Sequence, residues 1–379
     1  MAASFIAVAA RMSLVQFLGI YFVHRAGIDV TTVGLAFLCE SAARGLAAPL
    51  FGALSDRLGR RLLLIASSFV TALVLPAVLL VTGPASLLVW SLALGIAGAI
   101  NIPVSSALLL DLAPPERRQS VLALNYTTMS IAYTLGVVPA GYIAERGYGI
   151  LAAASAAGYV LVAALYLAAL RGPLPLEKAA SAPRMVGDTV AAFGDRRFAL
   201  FAAIALVFPL SMGMLITVTP LYGTARGLGE SFIGLVLGAN SILVAALALP
   251  VATRIEAQGP FRPLGAAAAI IAAALACFAL IPGAAAALLV GTVIYSFGEV
   301  VFSSAVPAGV ARLAPAGRRG AYQGAWTLVS SLSLGSALAL SGAISKSFGW
   351  PSAWLACAAL TLAAAAALHL LRSRFASVA

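Results

Sequence analysis

Apolar blocks of about twenty residues, separated by short polar segments, recur along the whole chain. A membrane-spanning helix needs about 20 apolar residues to cross roughly 30 Å of hydrocarbon. Hydropathy predicts twelve such spans, at residues 3–23, 31–51, 62–82, 86–108, 121–143, 149–170, 198–219, 231–252, 263–283, 285–308, 321–344 and 351–371. The predicted fold class is therefore an all-α integral membrane protein with twelve transmembrane helices.

Composition and loop length together exclude a soluble enzyme. Of the 379 residues, 62% are hydrophobic and only 9% are charged, whereas soluble domains carry about 25% charged residues. The segments between the blocks are too short to form a soluble catalytic domain. The sequence has no histidine or cysteine pair at metal-ligand spacing and no nucleotide-binding glycine loop. We therefore expect no catalytic residues, no metal and no other cofactor.

The basic residues predict the orientation of the chain. With a cytoplasmic N-terminus, seventeen of the 23 Lys and Arg residues fall in cytoplasmic segments, four fall on the opposite side, and Arg11 and Arg44 fall inside spans. Cytoplasmic loops are enriched in Lys and Arg, so both termini are predicted to be cytoplasmic, in a bacterial-type inner membrane. The net charge of +11 is spread over these loops, and nucleic acid is not an expected partner.

The longest predicted connection divides the chain into two halves. It is a cytoplasmic central loop at 171–197, between a six-helix bundle at 1–170 and a second one at 198–379. An internal repeat supports this division, since Leu-Ala-Pro followed by two arginines occurs at 112–118 and again at 313–319. The chain is therefore predicted to contain two six-helix halves in parallel repeat.

Residues 52–61 read Gly-Ala-Leu-Ser-Asp-Arg-Leu-Gly-Arg-Arg and lie between predicted spans two and three. This segment resembles the signature G-x-L-x-D-R-x-G-R-R of the major facilitator superfamily, at the position where that family carries it. The repeat and the predicted topology extend the resemblance over nearly the whole chain. It implies a transporter fold and a gating role for Gly52, Asp56, Arg57, Gly59, Arg60 and Arg61.

The chemistry of the signature residues suits such a role. Glycine adopts backbone conformations that other residues avoid, so Gly52 and Gly59 are expected to form a tight turn that brings helix ends together. Asp56 can accept hydrogen bonds from a helix N-terminus or an arginine, and the arginines can pair with acids or lipid phosphates. In the alternative interpretation the arginines only orient the chain.

Two further segments are similar to the drug:proton antiporter branch of that family. They are Gly-Asp-Arg-Arg-Phe at 194–198, before span seven, and Gly-Glu at 298–299, in span ten. The chain departs from the branch at 94–110 in span four, which has no arginine, and in span five, where only a fragment of the glycine-proline pattern remains. The branch implies antiport and efflux.

Four charged residues lie inside predicted spans, where each costs at least about 2.5–3.5 kcal/mol. Glu40 and Arg44 are four residues apart and share a helix face, whereas Glu299 has no such partner. A buried carboxylate can bind a proton in competition with substrate, so Glu40 and Glu299 are the candidates for proton coupling. The alternatives are a structural ion pair for Glu40 and Arg44, and for Arg11 a side chain that snorkels to the interface.

Polar residues inside the spans are candidates for the wall of a central cavity, and each is alternatively a helix-packing contact. Besides Arg11 and Arg44, these candidates are Gln16, Asn101, Tyr126, Asn240 and Tyr295. The leading hypothesis is a monomeric secondary transporter that exports small amphipathic compounds against protons by alternating access, with membrane lipids as further partners. Two alternatives stay open: a transporter of sugars or organic anions, in which Arg11 and Arg44 hold the anion, and a non-transporting sensor or assembly factor of the same shape.

Overall fold

The computed structural model describes residues 1–114, 117–170, 182–315 and 318–376, and these residues form helices and no strand. Nine helices in this part of the chain are long and apolar enough to cross a membrane. Leu264–Leu280, at predicted span nine, is a shorter apolar helix. The all-α prediction is confirmed, and the count of twelve spans stays a prediction.

The chain forms two compact units, and the first consists of Met1–Ala182 together with Gly229–Gly238. The helices of this unit are α1 (Ala2–Val15), α2 (Leu18–Ile20), α3 (Val30–Leu58), α4 (Arg60–Val74), α5 (Pro84–Leu112), α6 (Arg118–Arg146) and α7 (Tyr148–Ala169). Asp29 caps the N-terminus of α3, because its carboxylate accepts hydrogen bonds from the backbone N–H of Thr31 (3.1 Å) and of Thr32 (3.3 Å).

The second unit consists of Pro183–Leu228 together with Ala239–Ala379. Its helices, with α12 shared between the units, are α8 (Ala182–Ala192), α9 (Arg196–Ala205), α10 (Val207–Gly213), α11 (Thr219–Ala225), α12 (Glu230–Gln258), α13 (Leu264–Leu280), α14 (Ala284–Leu313), α15 (Arg319–Phe348) and α16 (Trp350–Ala376). Asp195 caps α9 by accepting from the backbone N–H of Arg197 at 2.8 Å, and it also accepts from the Tyr322 hydroxyl at 2.9 Å. This explains the acid at the start of predicted span seven.

Two features of the predicted connections need correction. Gly52 lies within α3, which continues to Leu58, so it does not form part of a turn. Only Gly59 stands at the junction with α4, with φ of 89°, a conformation that favours glycine. Part of the predicted central loop is helical, because α8 lies within 171–197. Hydropathy windows detect long apolar blocks and so overlook a short helix of mixed polarity.

The start of α12 belongs to the first unit through contacts with the end of α6. Glu145, just beyond predicted span 121–143, accepts a hydrogen bond from the backbone N–H of Ser231 at 2.9 Å. Hydrogen bonds from the Ser231 hydroxyl and this N–H hold the pKa of the Glu145 carboxyl below its ordinary value. Gly234 comes close to the backbone of α6, where a Cβ atom would lie 2.9 Å from the Val137 oxygen. A carboxylate at this helix N-terminus favours the packing.

Helix α5 packs against α3 through Gly95, whose missing side chain makes room for the backbone of Glu40. A Cβ atom at Gly95 would overlap the Glu40 carbonyl oxygen and lie 2.9 Å from Cβ of Ala43. Gly95→Ala is therefore expected to lower stability by about 1–3 kcal/mol, as overpacking does. Thermal denaturation in detergent checks this against Gly149→Ala, a helical site with nothing within 4 Å. Equal midpoints for the two variants would contradict the packing argument.

Candidate functional site

A cluster of three charged residues lies in the first unit, where α1 meets α3. Arg11 Nη2 donates to Glu40 Oε1 at 2.6 Å, and Arg44 Nη2 lies 3.5 Å from Glu40 Oε2. The Ser41 hydroxyl donates to Glu40 Oε2 at 3.3 Å. Two cations share one carboxylate, so the cluster carries one net positive charge. The predicted pairing of Glu40 with Arg44 is present, and Arg11 makes the shorter contact.

Arg11 is held inside the unit and does not snorkel to an interface. It is 7% exposed, like a core residue. Its guanidinium lies over Gly98 of α5, where a Cβ atom would be 2.9 Å from Nη1. Glycine at this position leaves the space that the guanidinium occupies. An arginine confined in this way presents its remaining N–H groups in fixed directions.

The cluster borders a cavity of about 40 Å³ inside the first unit. Two of the residues that line it carry a buried donor, Arg11 Nη1 and Asn101 Nδ2, with no hydrogen-bond partner among the described residues. The residues that line it are Ser4, Ala7, Val8, Arg11, Met12, Arg44, Gly98, Asn101, Ser105, Met129 and Tyr159. Three of the predicted cavity residues, Arg11, Arg44 and Asn101, therefore lie around one space.

Gln16, another cavity candidate of this half, is not among the described residues that line that space. Gln16 accepts a hydrogen bond from the Tyr133 hydroxyl at 3.0 Å, which ties α6 to the segment after α1. This contact fits the helix-packing alternative for Gln16. The side chain of Tyr126 lies outside the described residues.

Glu299 lies in the second unit on α14 and is 8% exposed. Asn240 Nδ2 donates to Glu299 Oε2 at 3.0 Å, and the Ser296 hydroxyl donates to Asn240 Oδ1 at 2.7 Å. No described Lys, Arg or His forms an ion pair with Glu299. The structure thus brings together Glu299 and Asn240, and adds Ser296, which the sequence analysis missed although it lies one turn before Glu299.

The neighbouring residues of α14 fix its position in the second unit. Tyr295 is fully buried and its hydroxyl lies 3.3 Å from the Ser211 hydroxyl of α10. Gly298 faces α13, where a Cβ atom would lie 3.0 Å from the Ala267 oxygen. The buried position of Tyr295 makes it a packing residue in this conformation, and Glu299 stands on a tightly held helix.

Among its described side chains, the signature segment contributes an ion pair to the first unit. Arg60, the first residue of α4, pairs with Asp111 near the end of α5. Asp111 was not among the residues selected from the sequence, although an acid just beyond predicted span four was a visible signal. Arg61 is half-buried. The side chains of Asp56 and Arg57 lie outside the described residues.

Comparison with known proteins identifies the family. The sequence profile of the Major Facilitator Superfamily matches residues 1–338 and 230–378. The chain is similar to an uncharacterized MFS-type transporter, YqjV of Bacillus subtilis (strain 168), with 24% identity over 330 residues that cover 82% of this chain and 77% of the relative.

Three solved structures show the same fold at low sequence identity. The nucleoside transporter NupG is 15% identical over 98% of this chain and 97% of its own, with a TM-score of 0.81. A POT family transporter in complex with 5-aminolevulinic acid is 14% identical over 98% and 95%, with a TM-score of 0.82. The human organic anion transporter MFSD10 is 19% identical over 97% of each chain, with a TM-score of 0.70. The chain therefore belongs to the Major Facilitator Superfamily and is a multi-pass membrane protein with the transporter fold of that family.

Proposed function

We propose that the protein is a proton-coupled secondary transporter that exports small amphipathic compounds, and that Glu299 carries the proton. Two six-helix halves, 1–170 and 198–379, joined through 171–197, would expose a central site to each side in turn. The observation that carries the proposal is a buried carboxylate whose described hydrogen-bond partner is a neutral amide.

The electrostatic reason is the cost of an unpaired charge in a membrane. Within a span, an ionised carboxylate without a cation partner is expensive, and a proton removes that cost. Asn240 accepts from Ser296 through its oxygen, so its nitrogen faces Glu299. The amide therefore supports the carboxylate without neutralising it. A carboxyl group in this setting can bind and release a proton as the site is exposed to each side.

Glu40 is the less suitable of the two candidates. Arg11 and Arg44 both contact its oxygens, so its negative charge is already compensated within the cluster. Protonation would leave the buried Arg11 and the half-buried Arg44 without their shared carboxylate, which is unfavourable. We assign Glu40 to organising the cluster and Glu299 to proton binding.

The signature segment is proposed to act as the gate. Gly59 forms the α3–α4 junction, and the pair of Arg60 and Asp111 joins the start of α4 to the end of α5. Arg61 and the neighbouring Asp56 and Arg57 would contact acids or lipid phosphates in one of the two conformations. We further propose that the protein works as a monomer, without a cofactor or catalytic activity, in an inner membrane with both termini cytoplasmic.

Purified protein in liposomes that contain a pH dye tests this proposal. Cationic amphiphiles, organic anions and sugars are added in separate panels without an imposed gradient. We expect protons to move when a transported compound is added, and antiport requires that they cross the membrane in the direction opposite to the compound. Radiolabelled counterflow without proton movement would contradict coupling, and the absence of both signals would favour the non-transporting alternative.

A further inference from the structure

The unpartnered donors at the cavity in the first unit indicate what this cavity binds. Arg11 Nη1 and Asn101 Nδ2 are both buried and both lack a partner among the described residues, and their residues line the same cavity. A buried donor without an acceptor costs about 1–3 kcal/mol. An acceptor that reaches these two donors removes this cost, which favours a ligand with oxygen atoms.

The charge of the cluster selects the kind of acceptor. Among the described residues, Glu40 is the carboxylate that Arg11 and Arg44 both contact, and its single negative charge leaves one positive charge beside the cavity. A bound monoanion brings the net charge of the cluster to zero, whereas a bound cation would be repelled by it. A hydrogen bond from an arginine to a carboxylate is charge-assisted and about twice as strong as one between neutral groups. Charge and donors together favour a carboxylate.

The volume of the cavity agrees with a carboxylate ligand. A cavity needs about 10–15 Å³ to hold one water-sized group, so 40 Å³ accommodates about three heavy atoms, the size of a carboxylate. Ala7, Val8, Met12 and Met129 form an apolar part of the wall. The cavity therefore has room for the carboxylate group, and the apolar body of the compound needs space beyond it.

We infer that the transported compounds are small amphipathic carboxylates, whose carboxylate binds between Arg11, Arg44 and Asn101. This inference rests on the proposed transport function and names its substrate class. Arg11 bridges Glu40 through Nη2 and the substrate through Nη1, so the ion pair with Glu40 remains in place while substrate is bound.

Thermal denaturation of the full-length protein in detergent at constant pH tests the inference. The probes are benzoate, phenylacetate and octanoate, each compared with its neutral primary amide, which has a similar shape and no charge. We expect at least one carboxylate to raise the denaturation midpoint, as ligands that bind the folded state do, and its amide to have no such effect. Equal shifts for every pair, or no shift with any carboxylate, would overturn the inference.

Variants then locate the binding site. Asn101→Leu and Arg44→Gln preserve the contact between Arg11 and Glu40, and each is expected to weaken carboxylate binding about tenfold. Arg25→Gln, which removes an exposed charge outside the cavity, should leave binding unchanged. An Asn101→Leu protein that binds the carboxylate like the wild type would overturn the assignment of the site.

The same proteins separate this inference from the proposed function. Glu299→Gln should keep the carboxylate-dependent shift, because Glu299 is not among the cavity-lining residues. If the shift persists but no solute moves protons, the coupling proposal fails and the carboxylate site stands. If protons move with cationic solutes and no carboxylate binds, the site fails and the coupling stands.

Discussion

Glu299→Gln is expected to abolish transport driven by a proton gradient and to preserve exchange of the same solute across the membrane. Glutamine keeps the size of the side chain and its hydrogen bond to Asn240, but cannot take up or release a proton. The substituted helix should therefore fold as before, since the described surroundings of Glu299 are neutral. Gradient-driven flux should fall to the level of protein-free liposomes, while radiolabelled counterflow continues.

The matched control is Glu256→Gln, which alters an exposed carboxyl group near the end of α12. It should leave both gradient-driven flux and counterflow unchanged. If Glu299→Gln retains full gradient-driven flux, Glu299 is not the proton site. If the variant loses counterflow as well, its role is in substrate binding or folding, and the denaturation midpoint distinguishes these two.

The fold class could be predicted from the sequence because hydropathy is summed over about twenty residues, so single exceptions do not alter the result. Details set by a single backbone position were less accessible. Gly52 and Gly59 are equally plausible turn residues by type, but α3 continues through Gly52 and ends only at Leu58. The left-handed φ of Gly59 is the signal that distinguishes them.

Candidate residues could be selected from the sequence, but the contacts between them could not. The spacing of Glu40 and Arg44 predicts a neighbour on the same helix, whereas the shorter contact comes from Arg11 on another helix. Spacing along one helix carries no information about the rotation of the next. For the same reason the sequence indicates Asn240 as a cavity residue and Glu299 as a proton site without relating the two. Their contact is visible in the structure.

Glu40→Gln is expected to destabilise the folded protein by about 3–5 kcal/mol, the usual cost of removing one partner of a buried ion pair. The substitution leaves Arg11, which is 7% exposed, without the carboxylate that it contacts at 2.6 Å. This outcome differs from that of Glu299→Gln, where no described cation loses a partner. The denaturation midpoint in detergent measures the loss, with Glu256→Gln as the exposed carboxyl control.

Removal of both charges distinguishes an electrostatic cause from a general defect in packing. In the double variant Arg11→Met with Glu40→Met, no buried arginine on α1 is left uncompensated, and replacement of a buried ion pair by apolar residues is often neutral or stabilising. Its midpoint should therefore lie well above that of Glu40→Gln alone, even if the single variant is recovered only in small amounts. A double variant as unstable as Glu40→Gln would show that Glu40 acts through packing. A higher denaturation midpoint in the double variant would show that the negative charge of Glu40 stabilises Arg11 in the membrane.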